Sequence, residues 1–291
     1  MKEALLKMHL AVFLWGFTAI LGRAISLESF PLVWYRVLLS SFIFILILLY
    51  RKEFMRPSLK ESLRIGCIGA LIAVHWVCFF GAVKYANVSI ALVCMASAGI
   101  FTAILEPLIL RIGFKVKELL LGLLALAGMY LIYSFETEYA TGIGLGIIAA
   151  ILSSLFTVLN KQIVDNYNPR FLSWAELFSA WIFLSLMTPF YLQFFPTVSF
   201  WPQQFDWLWL IILALCCTVW AQTLAMSALR KISSFTAVLS VNLEPVYGII
   251  MAVAIFNEHE ELGKGFWYGI VLVALSVIFH SLSMMPKKKL G

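Results

Sequence analysis

Only 12% of the residues are charged and 63% are hydrophobic, so each ionisable side chain within an apolar run is a candidate for chemistry. Glu244 is the most central. Thr236, Ser240 and Gly248 recur with it every fourth residue, which places all four on one helix face, with Tyr247 beside them. A carboxylate there can bind a cationic group or a proton; alternatively it is a structural acceptor for a neighbouring helix. Pro245 removes one backbone donor next to it. His75, followed by Trp76, falls at the centre of another apolar run, where an imidazole can exchange protons near neutral pH or serve as an interhelical donor. Glu106 ends a stripe that begins with Cys94 and continues through Ala98 and Thr102, just before Pro107. It reads as a gate or coupling group, or as a partner for Arg111. Trp15 with Thr18, and Trp220 with Gln222, pair an aromatic surface with a polar one, as recognition of an amphipathic solute requires. Ser153 and Asn160 are candidates to face the same space. Arg36 is read first as a snorkelling or structurally paired group and second as a carboxylate binder. Glu176 lies at a comparable depth in the other half of the chain.

Other chemistries lack their residues. The chain carries no Walker loop, dinucleotide fingerprint or HExxH pair. Its five cysteines (Cys67, Cys78, Cys94, Cys216 and Cys217) lie inside apolar runs without paired His spacing, so neither a disulfide framework nor a zinc site is expected. His75 has no nucleophile on a shared motif. The expectation is a protein without metal or cofactor that is not an enzyme. The net charge of +6 sits in short tracts between apolar runs, which does not suit nucleic acid.

These residues must be positioned by membrane-spanning helices. The mean hydropathy is +0.97, and so few charges cannot cover a water-soluble surface. A bilayer core takes roughly 20 apolar residues per helix. Ten segments meet that length: 8–26, 31–50, 64–83, 88–110, 118–135, 142–161, 171–194, 207–228, 234–256 and 265–284. The apolar runs are continuous rather than alternating, which excludes a β-barrel. The first segment has Lys2 and Lys7 before it but lacks a small-residue cleavage site, and it reads as a retained helix. Of the 21 Lys and Arg, only Arg23, Lys84 and Lys264 fall on the side opposite the N-terminus; Arg36 lies within a span. Positive charge gathers on the cytoplasmic side, so both termini are expected there. Trp34, Trp174, Trp201, Trp207 and Trp267 lie near span ends, as an interface belt does. Gly142, Gly146, Ala150 and Ser154 form a close-packing stripe.

The chain also resembles itself. Residues 82–107 align with 228–253, Gly122 with Gly269, Gly22-Arg23 with Asn160-Lys161, and Pro31 with Pro169. Five helices per half is an odd number, so the second half must enter the membrane from the other side. Inverted repeats place a site near mid-depth between the halves. The expected organisation is an all-α membrane protein of ten transmembrane helices. Residues 1–137 form the first five-helix repeat and 138–291 the second, inverted one.

Trp15-Gly16, Arg36, Ala82–Ser89, Leu243-Glu244-Pro245-Val246, Phe256-Asn257-Glu258 and Gly269 follow one another in an order that resembles the EamA family of the drug/metabolite transporter superfamily. The first half departs from the pattern: Ala98-Gly99 stands where a proline pair is expected, and Arg111 where a glutamate is. The resemblance implies a metabolite exporter or permease of the cytoplasmic (inner) membrane, a monomer or homodimer in the lipid bilayer, with a central cavity for a small-molecule substrate. The residues expected to bind that substrate are His75, Trp76, Trp15, Thr18, Cys94, Thr102, Ser153, Trp220, Gln222, Ser240, Glu244 and Tyr247, with Glu106 and Glu244 as gate or coupling groups. Small amphipathic metabolites, amino acids among them, are the expected cargo. A membrane-embedded enzyme and a passive channel are the alternatives.

Overall fold

The computed structural model describes residues 2–135, 139–241, 243–244, 247–248, 251, 254–255 and 264–284. Among these the chain is all helix: α1 (Lys2–Ala24), α2 (Ser29–Arg51), α3 (Leu59–Tyr85), α4 (Val88–Ala96), α5 (Ala98–Leu110), α6 (Val116–Phe135), α7 (Ala140–Lys161), α8 (Pro169–Phe194), α9 (Asp206–Ala214), α10 (Ala221–Leu229), α11 (Ser234–Val241) and α12 (Lys264–Met284). A π-helical turn, Leu215–Trp220, joins α9 to α10. Seven helical stretches among the described residues are long and apolar enough to cross a membrane: α1, α2, α3, α4 with α5, α7, α8, and α9 through α10. The fifth, ninth and tenth expected segments carry α6, α11 and α12. Pro245, residues 136–138, Asn257-Glu258 and the C-terminal lysines lie outside the described residues.

Local chemistry sets the helix ends. Ser58 and Glu61 form a capping box: Glu61 Oε2 accepts from Ser58 N at 2.9 Å, and Ser58 Oγ accepts from Glu61 N. From there α3 runs 27 residues, about 40 Å at 1.5 Å per residue, enough for the hydrocarbon core and both interfaces. Asn87 caps α4 by accepting from Ile90 N at 2.8 Å, and Asn168 caps α8, where Pro169 takes the first turn and costs no hydrogen bond. Arg51 and Leu110 are each followed by a residue in the left-handed region, Lys52 and Arg111, which stops the helix there.

The halves interlock. α3 packs on α7 and α8, α1 on α10, α5 on α7 and α11, and α6 on α12 at the edge. Apolar side chains such as Phe42, Leu49, Leu186 and Phe190 project outward along the spans, as a bilayer-facing surface requires. The small-residue stripe of α7 lets its backbone approach α4 and α5. A Cβ on Gly146 would stand 2.6 Å from the Cys94 Cβ, Ala150 is fully buried, and Ser154 Oγ donates to Ala98 O at 2.8 Å.

Candidate functional site

A cavity enclosing about 860 Å³ of empty space, mouth included, lies between the halves. Its walls come from α1, α2, α3, α4, α7, α10, α11 and the Glu244 turn beyond α11. It runs from mid-depth groups (Thr18, Arg36, His75, Trp76 and Glu244) toward Met8, Asn160 and Leu229. That end is also where α7 and α10 finish, and there Lys161 Nζ donates to Leu229 O at 2.7 Å. The other end is tied shut. The Asp206 carboxylate accepts from Ser26 N (2.7 Å), Ser26 Oγ (2.6 Å) and Gln203 N (2.9 Å). Lys84 Nζ donates to Ile25 O at 2.5 Å. Ends of helices from both halves are thereby held together on the side remote from the cavity mouth.

His75 is fixed by its backbone neighbour. Nδ1 stands 2.7 Å from Ala149 O. A carbonyl only accepts, so Nδ1 carries the hydrogen and Nε2 is left as the acceptor of the neutral ring. The ring is edged by Phe156 at 5.3 Å and lies near Phe79 at 6.4 Å. Of the residues expected to bind substrate, His75, Trp76, Trp15, Thr18, Ser153, Gln222 and Glu244 line the cavity. Five do not. Cys94 is packed beneath Gly146 of α7. Thr102 Oγ1 donates to Ala98 O within its own helix. Ser240 Oγ donates to Thr236 O, and Val241 and Glu244 take the wall position beside it. Tyr247 packs against Phe13 and Gly16 of α1. Trp220, 61% exposed, points to the outside of the bundle. Gln222, two residues further along, lines the cavity instead, because positions i and i+2 lie on opposite sides of a helix.

Glu106 is not paired with Arg111. Its Oε1 accepts from Ser234 N at 2.8 Å and Oε2 from Phe235 N at 3.1 Å. It caps the N-terminus of α11, where unpaired N–H groups and the helix dipole favour an anion. Glu176 is fully buried and faces the Asn160 amide, but neither group reaches hydrogen-bonding geometry.

The structure brings forward Arg36, which is 1% exposed and lines the cavity. Its Cζ lies 3.8 Å from the centre of the Trp76 ring. Nε donates to Thr218 Oγ1 at 2.8 Å and Nη2 to Cys217 O at 3.3 Å. The π-turn makes that second bond possible. Ala221 N–H bonds Cys216 O and Thr218 O but skips Cys217 O, so the Cys217 carbonyl is left to accept from the arginine. Phe79, Phe156, Met95 and Met226 also line the cavity without having been expected; nothing in an apolar sequence distinguishes them from lipid-facing neighbours.

The assembled groups are an aromatic and thioether wall, one guanidinium, one carboxylate, and an imidazole with a free acceptor. That set can recognise a small amphipathic solute. Among the described residues no three His, Cys, Asp or Glu side chains cluster as metal ligands do.

Comparison with known proteins gives the class. The chain belongs to the EamA-like transporter family, whose model matches residues 2–134 and again residues 140–282. It is therefore a multi-pass membrane protein of a transporter family, built from two family repeats. An uncharacterized transporter of Archaeoglobus fulgidus (strain ATCC 49558 / DSM 4304 / JCM 9628 / NBRC 100126 / VC-16) is 25% identical over 258 residues, which is 86% of each chain. A solved crystal structure superposes with a TM-score of 0.70 at 17% identity, covering 97% of this chain and 98% of that one. This last likeness concerns the fold.

Proposed function

We propose that this protein is a secondary transporter that carries small amphipathic metabolites, amino acids among them, out across the cytoplasmic membrane. The central cavity is presented to each side in turn. The observation that carries the reading is the cavity itself: it lies at mid-depth, between two related halves, with its ionisable groups clustered at one end of a largely apolar chamber. Division of the chain at 137/138 into two oppositely inserted five-helix units supplies the rocking element. With the Ser26–Asp206 and Lys84–Ile25 ties closed and the Met8–Leu229 end leading outward, the arrangement corresponds to a state facing the cytoplasm, given the positive-inside orientation. His75, Trp76, Trp15, Thr18, Ser153, Gln222 and Glu244 contact the cargo; Glu106 anchors the start of α11, which contributes Ala237, Val238 and Val241 to the cavity wall.

The test is flux in proteoliposomes with a panel of labelled amino acids and organic cations, with and without a pH gradient. Saturable movement, with accumulation above the equilibrium level when a gradient is imposed, is expected. Movement that only ever runs down the solute's own gradient and never saturates would make the protein a channel. A panel that does not move at all defeats the transport reading for these solutes.

A further inference from the structure

Resting on the transport reading and deepening it, we propose that Arg36 is the anion-recognising group of the cavity and that the cargo carries a carboxylate beside an apolar body. Arginine has five N–H donors in a rigid fork. Here Nε and Nη2 are taken by Thr218 Oγ1 and by the Cys217 carbonyl that the π-turn releases, and the face is covered by Trp76. Nη1 is buried and has no hydrogen-bond partner. Arg36 makes no ion pair among the described residues, although Glu244 lies within electrostatic reach across the chamber. A guanidinium at membrane depth with an unused edge is expensive unless something fills that edge. A group held on two sides and stacked on a third is pre-organised, so little freedom is lost when an acceptor arrives.

Arg36 is part of the chamber wall. Next to it lies Thr18, whose Oγ1 has only the Cys217 thiol within reach, a weak partner. One guanidinium edge and one hydroxyl match the two oxygens of a carboxylate. A phosphate dianion fits poorly: among the described lining residues Arg36 is the one fixed cation, and Glu244 already contributes a carboxylate. The rest of the wall, with Trp15, Phe79, Phe156 and Met226, takes the apolar body.

The experiment compares isosteres on the purified, detergent-solubilised protein. 4-Methylpentanoate and 4-methylpentanamide share shape and differ in the charge that Nη1 would meet. Binding is read from tryptophan fluorescence, since Trp76 lies under the guanidinium, and from the thermal midpoint. The acid is expected to bind at least about ten-fold tighter than the amide. Arg36→Gln is expected to abolish that preference, so that acid and amide bind the folded variant alike. Should Arg36→Gln fail to fold, Thr218→Val serves instead: it releases the Nε tether and is expected to reduce the preference for the acid several-fold. Equal binding of acid and amide, no binding of either, or an unchanged preference in the folded variant overturns the proposal. Proteoliposomes separate this from the transport reading. Binding of the acid without flux keeps the site and removes transport. Flux of the amide but not the acid keeps transport and removes the site.

Discussion

Glu244 and Arg36 both line the chamber, and the two readings of Glu244 predict something different at the level of one atom. If it engages a cationic part of the cargo or a proton, Glu244→Gln keeps shape and most hydrogen bonds but loses the charge. Flux of cation-bearing cargo is then expected to fall about ten-fold or more, on the scale of one charged hydrogen bond of roughly 1.5–3 kcal/mol, and the melting temperature to stay close to that of the parent protein. Glu244→Ala is expected to lose flux as well. The two are measured together in proteoliposomes and by thermal unfolding; a silent Gln variant with a destabilised Ala variant would return Glu244 to a structural role. His75 is tested through its free nitrogen. Nδ1 is committed to Ala149 O, so Nε2 is what a cargo donor can reach. His75→Ala is expected to raise the half-saturation constant for flux several-fold, and a folded variant with unchanged affinity and rate removes it from the site.

Among the helices, the informative features are two local breaks and one helix start. The π-turn at Leu215–Trp220 frees one carbonyl for Arg36 and ends at Trp220, which points away from the chamber. Ser97 interrupts the α4–α5 stretch, its Oγ donating to Cys94 O at 2.7 Å. The start of α11 is held by a side chain from the other half. Glu106→Ala leaves Ser234 N and Phe235 N without their acceptor, and a loss of about 1–2 kcal/mol in stability is expected from comparable caps. Glu106→Gln retains an acceptor but not the charge that the helix dipole favours, and should cost less. Thermal unfolding of both variants in the same detergent checks the order. If Ala and Gln are equally harmless to stability and both abolish pH-dependent flux, Glu106 is a coupling group rather than an anchor.

For the whole molecule, the distribution of basic residues fixes a testable topology. A cysteine at position 138 in a Cys-free background should react with a membrane-impermeant thiol reagent in intact cells, whereas one at position 60 should react only after permeabilisation. Labelling of residue 138 only after permeabilisation would overturn the ten-span arrangement with cytoplasmic termini. Within the structure, Ser26 bonds Asp206 and Lys84 bonds Ile25 at one end of the bundle, and Lys161 bonds Leu229 at the other.

What the sequence determined by itself follows from composition and periodicity. Apolar length set the helices, because unpaired backbone groups cannot be left in hydrocarbon. The Gly142–Ser154 stripe was legible as a packing face, since small residues recurring every fourth position have one common use in a membrane. Helical spacing also brought Thr18, His75, Trp76 and Glu244 forward as polar or aromatic groups at depth. It could not tell which side of each helix meets the chamber. Trp220 and Gln222 are two residues apart and take opposite sides of the helix, and the Ser240 hydroxyl turns back to Thr236 O. Cys94 and Thr102 shared a stripe with Glu106, yet that stripe meets the close-packed face of α7 or its own backbone instead of the chamber. Only the tertiary structure could show what surrounds Arg36. Its partners Thr218 and Cys217 lie some 180 residues away along the chain, and whether a buried guanidinium is satisfied or left with an open edge depends on where those distant carbonyls and hydroxyls are placed.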